Sequence, residues 1–225
     1  MLAAAGLEQW DGQAVDQDLL ALRAHTLLPD VDLADSVPPG ASNLLDYRFE
    51  LQVGAAEQAG TSAEGLAEAV EEVSGGTVRA VPLHTAWDAA AVVRLVDFAL
   101  ERSAHLIANL RTGRLWGSKP PLESLLAELE GQEQSGPPAD WDVGHYVGLS
   151  ALVRGRGGAL VVVQDSYPTL GWDGVHLQPP RALAAALRRD DGHEGGVLCV
   201  LPAERAGDVD TLGFDVEFWD NGTRR

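Results

Sequence analysis

Two residues in the stretch "GHYVGLSALVRGRGGALVVVQDSYP", residues 144 to 168, have the types and spacing for proton chemistry. His145 opens one apolar run, Asp165 closes the next, and "RGRGG" separates them. Gly155, Gly157 and Gly158 supply the backbone freedom that a tight reversal needs. Folding back about Gly155 would set His145 opposite Asp165 on antiparallel strands. Directly opposed residues share a face, with Cβ atoms roughly 4.5–5.5 Å apart. A carboxylate bonded to one ring nitrogen fixes the tautomer and steadies the imidazolium, so that the other nitrogen can deprotonate a nucleophile. A slip of one residue would send the two side chains to opposite faces. The plainer alternative is a structural His–Asp pair.

The remaining histidines, His25, His84, His105, His176 and His193, are scattered, with no His-x-x-x-His spacing. They read as structural or surface residues, and the sequence leads us to expect no metal site and no cofactor. "DDGHEGG" around His193 reads as a solvated turn. No phosphate-binding loop of the G-x-x-x-x-G-K-S/T type is present. The single cysteine, Cys199, sits in the apolar run "GGVLCVLP" and reads as core packing rather than as a nucleophile. Four aromatic residues, Trp116, Trp141, Tyr146 and Trp172, lie in or beside polar loops, where rings give contact area at low entropic cost. They are candidates to line a substrate-binding cleft, against the alternative of core and loop packing.

The elements that must position these residues follow from pattern. "DQDLLALRAHTLL" reads as a helix started by Asp16 or Asp18. "GTSAEGLAEAVEEVSGG" reads as a helix capped by Thr61 or Ser62, with Leu66, Val70 and Val73 as its apolar stripe and Gly75 as its stop. "TVRAVPL" is a strand, "AWDAAAVVRLVDFALERS" a helix, "AHLIANL" a buried strand and "LESLLAELEG" a short helix. After the hairpin come "RALAAALRR" as a helix, "GGVLCVLP" as a strand and an edge strand around "FDVEFW". Helices come mainly first and antiparallel strands later, an α+β order. No shift in composition marks a boundary, so residues 1–225 read as one domain.

The formal net charge of −18 argues against nucleic acid and anionic membranes as partners, since both select a cationic surface. It would favour basic peptides. With no signal peptide, no run of roughly 20 apolar residues and no possible internal disulfide, the chain reads as cytoplasmic.

The order of elements resembles papain-like cysteine peptidases, nearest the branch that includes double-glycine leader peptidases. "GTSAEGLAEAVEEVSGGTVRAVPL" resembles that family's mid-chain helix and strand. "LVDFALERSAHLIANL" is similar to its helix leading into a buried strand, and "HYVGL…ALVVVQDSYP" to its His-strand, turn, strand-Asp signature. The resemblance covers the chain up to about residue 170. It implies a papain-like fold with N-terminal helices packed on a C-terminal antiparallel sheet, His145 as general base and Asp165 as its orienting partner. The family's nucleophilic Cys, at the start of its first long helix, and the Gln before it have no counterpart here. "MLAAAGLEQW" resembles the end of that helix, which would put both positions upstream of Met1. The reading is therefore a catalytically incomplete peptidase homologue acting on or holding a peptide or protein. The alternatives are a non-catalytic binding or partner-holding module, or an active thiol hydrolase or acyltransferase if a Cys lies upstream.

Overall fold

The computed structural model describes residues 7–31, 37–41 and 47–223. The expected helix tail at residues 1–7 lies outside these except for Leu7, which packs against an apolar cluster. In chain order the elements begin with a small ribbon of β1 (Gln9–Trp10) and β2 (Gln13–Ala14), followed by α1 (Gln17–Arg23). Then come β3 (Leu27–Pro29), β4 (Gln52–Gly54), α2 (Ala63–Val73), β5 (Val78–Leu83) and α3 (Ala89–Arg102). They continue with β6 (His105–Arg111), α4 (Leu122–Leu129), β7 (Gly144–Arg154), β8 (Ala159–Gln164) and β9 (Val175–Gln178). Last are α5 (Pro180–Arg188), β10 (Gly196–Pro202) and a 3-10 helix, Ala203–Leu212.

Local chemistry explains most boundaries. Asp16 caps α1 by accepting from the Leu19 N–H at 3.1 Å, Ser62 caps α2 through Gly65, and Asp88 caps α3 through Ala91. α1 is shorter than its sequence pattern. Thr26 N–H bonds to Ala21 O, His25 N–H bonds to Leu22 O, and His25 takes φ 53°. This left-handed stop closes the helix and turns "TLL" into β3.

The main sheet is antiparallel throughout, in the order β5-β10-β6-β7-β8-β9. The fold is α+β, but helices and strands interleave along the chain rather than segregating. Alternation along β10 shows why. Val197, Cys199 and Leu201 join the cluster that holds Leu95 and Val96 of α3 and Leu183 and Leu187 of α5. Leu198 and Val200 join the opposite cluster with Leu19 of α1 and Val70 and Val73 of α2. A strand covered on both faces reads as an unbroken apolar run, which is what "GVLCVL" is.

Two expectations change. The edge strand around "FDVEFW" forms only a single bridge, Asp215 with His84. Phe214 and Trp219 are both buried, five positions apart, which a strand's period of two does not allow on one face. Conversely, β9 escapes sequence reading because its buried positions carry polar residues, His176 and Gln178.

The β7–β8 hairpin turns through residues 155–158, closed by Gly155 N–H to Gly158 O at 2.9 Å. Arg154 pairs with Ala159 and Leu152 with Val161. Continued unchanged, that register would set His145 opposite Pro168 and send Asp165 to the other face. The register shifts between Leu149 and Ala151, leaving Ser150 as the extra residue, and Leu149 then pairs with Val163. A one-residue bulge reverses facing, so Asp165 returns to the face of His145. The two are diagonal neighbours rather than the directly opposed pair expected from a fold about Gly155.

We expect deletion of Ser150 to cost several kcal/mol, because it sends one half of β7 to the wrong face. Ser150→Ala should cost about 1 kcal/mol, the hydroxyl's bond to Val162 O. Urea melts compare them; a deletion as mild as the alanine variant would show that the bulge does not set the register.

Candidate functional site

The site begins where β7 starts and β8 ends. His145 is held in β7 opposite Leu110 of β6. Asp165 leaves β8 with its N–H bonded to Gly174 O at 2.7 Å. Its Oδ1 accepts from the Tyr167 N–H at 2.9 Å, a local turn that fixes the carboxylate. The same oxygen lies 3.1 Å from His145 Nε2, and the side chains are 14% and 2% exposed for His145 and Asp165. His145 Nδ1 makes no hydrogen bond to a described residue, and His145 is among the residues that line a large cleft.

Rings hold the imidazole from two sides. Trp141 meets His145 edge-on at 5.0 Å and Tyr167 at 5.2 Å, and the Tyr167 ring lies 5.7 Å from His145. Trp141 is itself stitched down. Buried Thr112 donates to Trp141 O at 3.1 Å and accepts from the Val143 N–H at 2.9 Å. Asp142 accepts from Arg111 at 2.5 Å and from the Gly113 N–H, while Asp140 accepts from the Ser118 N–H at 2.6 Å. The polar loop that carries Trp141 is therefore pinned to the end of β6.

Burial raises the Asp165 carboxyl, but the His145 hydrogen bond and charge, with the Tyr167 N–H, overcome this and hold it below the ordinary carboxylate value. Asp165 is thus an ionised acceptor at neutral pH, suited to orient an imidazole and stabilise its cation.

The cleft is about 930 Å³, large enough for several residues of an extended peptide. Its lining includes Leu20, Leu27 and Leu66, Ile107 and Asn109 of β6, and the rings of Tyr47, Trp141 and Tyr167. Tyr146 also lines it, its hydroxyl donating to Thr61 O at 3.1 Å and accepting from Asn221 at 3.2 Å. Burial pushes its phenol well above the usual range, so it serves as a neutral polar group.

Of the four aromatic candidates, Trp141 and Tyr146 face this cleft and two do not. Trp116 is 8% exposed and packs with Leu125, Leu160 and Ala182, because both of its backbone polar groups are tied to Gln178. Trp172 is 57% exposed on the turn before β9, which the Trp172–Val175 bridge closes away from the cleft lining.

Sequence reasoning missed a charged group on the cleft. Arg189 is only 4% exposed and holds Asp191 at 2.6 and 3.0 Å, while Arg111 reaches the same carboxylate at 3.0 Å. The Arg189 hydrogen bond, with the nearby guanidinium charges, depresses the Asp191 carboxyl to about 2. Arg189 adopts φ 50° and ψ 158°, a conformation rare outside glycine. His193, expected on a solvated turn, is exposed but also lines the cleft. The run "RRDD" offers a signal of paired charge, but nothing in it tells which arginine turns inward.

Cys199 is fully buried in β10, and burial alone pushes its thiol up to about 12. Burial therefore disfavours the thiolate there. Among the described residues, His84, Asp215 and Glu217 have ligand atoms within 4.8 Å of one another and are near enough to share one cation. The two carboxylates are exposed, and none of the three lines the cleft.

Compared with known families, residues 1–220 match the profile described as "Family of unknown function (DUF6885)". No curated protein and no solved structure matches the chain.

A carboxyl whose pKa is depressed on folding stabilises the native state above its unfolded value, near pH 4, and that gain disappears as pH falls through the folded value. We expect Asp165→Asn to cost about 1–3 kcal/mol at neutral pH and to lose proportionally less on acidification. Urea melts between about pH 3 and 7 test this; parallel curves for both proteins would show that Asp165 carries no pH-dependent share.

Proposed function

We propose that this chain, a member of the DUF6885 family, is a papain-like, peptidase-type domain that keeps a general base and its anchor without a usable thiol. Its cleft would hold a peptide or protein segment. The observation that carries the reading is the division of labour on one imidazole. His145 Nε2 is taken by Asp165 at 3.1 Å, its Nδ1 has no hydrogen-bond partner among the described residues, and the residue lines the cleft. A carboxylate on one nitrogen prepares the second to accept a proton from a nucleophile. The ends of β7 and β8 supply this pair from two strands, as the resemblance to papain-like peptidases implies. The only cysteine is buried in β10.

The pocket also supports a binding role. Trp141 and Tyr146 give rigid apolar area beside Leu20, Leu27 and Leu66, a largely apolar lining of the kind that buries ligand surface. The net charge of −18 favours basic peptides through long-range steering, since the ion pairs on the cleft itself are largely matched.

Base function is testable without a resident nucleophile. With an activated peptide ester and a small added thiol, the native chain should accelerate thiolysis about 10-fold or more over His145→Ala. Equal rates would rule out a competent base. Turnover without added thiol, abolished by Cys199→Ser, would overturn the incomplete-enzyme reading.

For binding, fluorescence anisotropy with a labelled basic peptide should weaken about 10-fold in Trp141→Ala. It should also weaken as salt rises from about 50 to 300 mM. Affinity indifferent to both would remove the cleft and the charge from the account.

A further inference from the structure

Asp165 has a histidine on each side. His145 approaches from β7. On the other side Val163 of β8 pairs with His176 of β9, and Asp165 lies two residues beyond Val163, on the same face. His176 is 2% exposed, so its single proton must have a defined place.

Gln178 decides where that proton is. It is fully buried, its Oε1 accepts the Trp116 N–H at 2.8 Å, and its Nε2 donates to Trp116 O at 2.8 Å. Turning the amide over would set donor against donor and acceptor against acceptor, so its orientation is fixed. The second N–H of Nε2 faces His176 Nδ1 at 3.1 Å. Nδ1 is then an acceptor and the proton sits on Nε2. Protonating Nδ1 as well would break this bond inside a buried site, and burial itself lowers the His176 pKa.

In front of His176 lies a small cavity of about 10 Å³, lined by Thr112, Ser118, Asp140, Asp165 and His176 among others. That is the room of one water, with enough polar neighbours to hold it. We propose that His176 is a positioning residue for the His145–Asp165 pair: as a neutral Nε2–H donor it acts through one water in this cavity on the Asp165 carboxylate. The inference rests on reading that pair as the centre of the site.

A neutral donor does something that a second cation would not. It adds a hydrogen bond that keeps Asp165 ionised and fixed, without placing a positive charge where it would repel the imidazolium form of His145. The other ionisable groups facing the cluster are Asp140 from the loop before β7 and Tyr167 beyond Asp165. Neither is an imidazole, so on the β9 side of Asp165 the imidazole donor is His176.

Nitrogen-15 NMR of the native chain reads the tautomer directly. His176 should show a bare Nδ1 and a protonated Nε2, unchanged from about pH 5 to 8. A protonated Nδ1, or titration within that range, would overturn the proposal. The Asp165 carboxyl, followed by carbon-13 NMR, should titrate on the order of 1 pH unit higher in His176→Leu. In His176→Gln, whose side-chain N–H reaches the place of Nε2, it should stay near the native value. Coincident midpoints in all three proteins would equally overturn it. The tautomer measurement needs no variant, and none of these readouts uses turnover or peptide binding, so their failure is separate from failure of the peptidase-type reading.

Discussion

The constraint on which the site depends is the two-residue period of a strand. Side chains alternate faces, so a base and its anchor on neighbouring strands meet only if the count between them has the right parity. The glycine turn at residues 155–158 leaves that count wrong by one, and the bulge at Ser150 corrects it. One surplus residue in β7 thereby brings His145 and Asp165 to one face, with His176 of β9 following in the same row. Bulges bend and retwist a strand as well as shifting it, which suits a place where two strand ends must converge beside a cleft.

Around that row, several buried polar groups are paired across elements. Thr112 fastens the loop that carries Trp141, Gln178 ties β9 to Trp116, and Asn109 accepts from both Trp219 and Arg189. Each buried polar group left unpaired would cost about 1–3 kcal/mol, so these contacts act as constraints on position more than as sources of net stability. Surface ion pairs such as Arg154 with Asp97 lie in water and contribute little. The half-buried group of Arg111, Arg189 and Asp191 is different in kind, because removing one partner would strand a charge at the cleft wall.

The chemistry available follows from what is exposed and what is not. His145 borders the cleft, whereas the thiol is sealed in β10 within an apolar cluster and burial pushes its pKa up. Nucleophilicity belongs to thiolate, not thiol. On the proposed reading, such a site would orient and deprotonate a group brought to it and would hold a chain along Trp141 and Tyr146.

Much of this was legible in the sequence, and the reason is local. Helix starts at Asp16 or Asp18 and at Thr61 or Ser62, the glycine stop after α2, the apolar runs of β6, β8 and β10, and the buried character of Cys199 each depend on a few neighbouring residues. The pairing of His145 with Asp165 was legible as a possibility, since a turn rich in glycine between two apolar runs limits where the chain can fold back. The sequence by itself thus determined most of the helices and apolar strands and the His145–Asp165 candidates. Only the tertiary structure decided the register, because a bulge leaves no compositional mark. It also decided which tryptophans face the cleft, that Arg189 turns inward, and that β9 exists at all, since His176 and Gln178 are buried for their hydrogen bonds and not for their hydrophobicity. Those choices rest on contacts between residues far apart in the chain, and no local pattern encodes them.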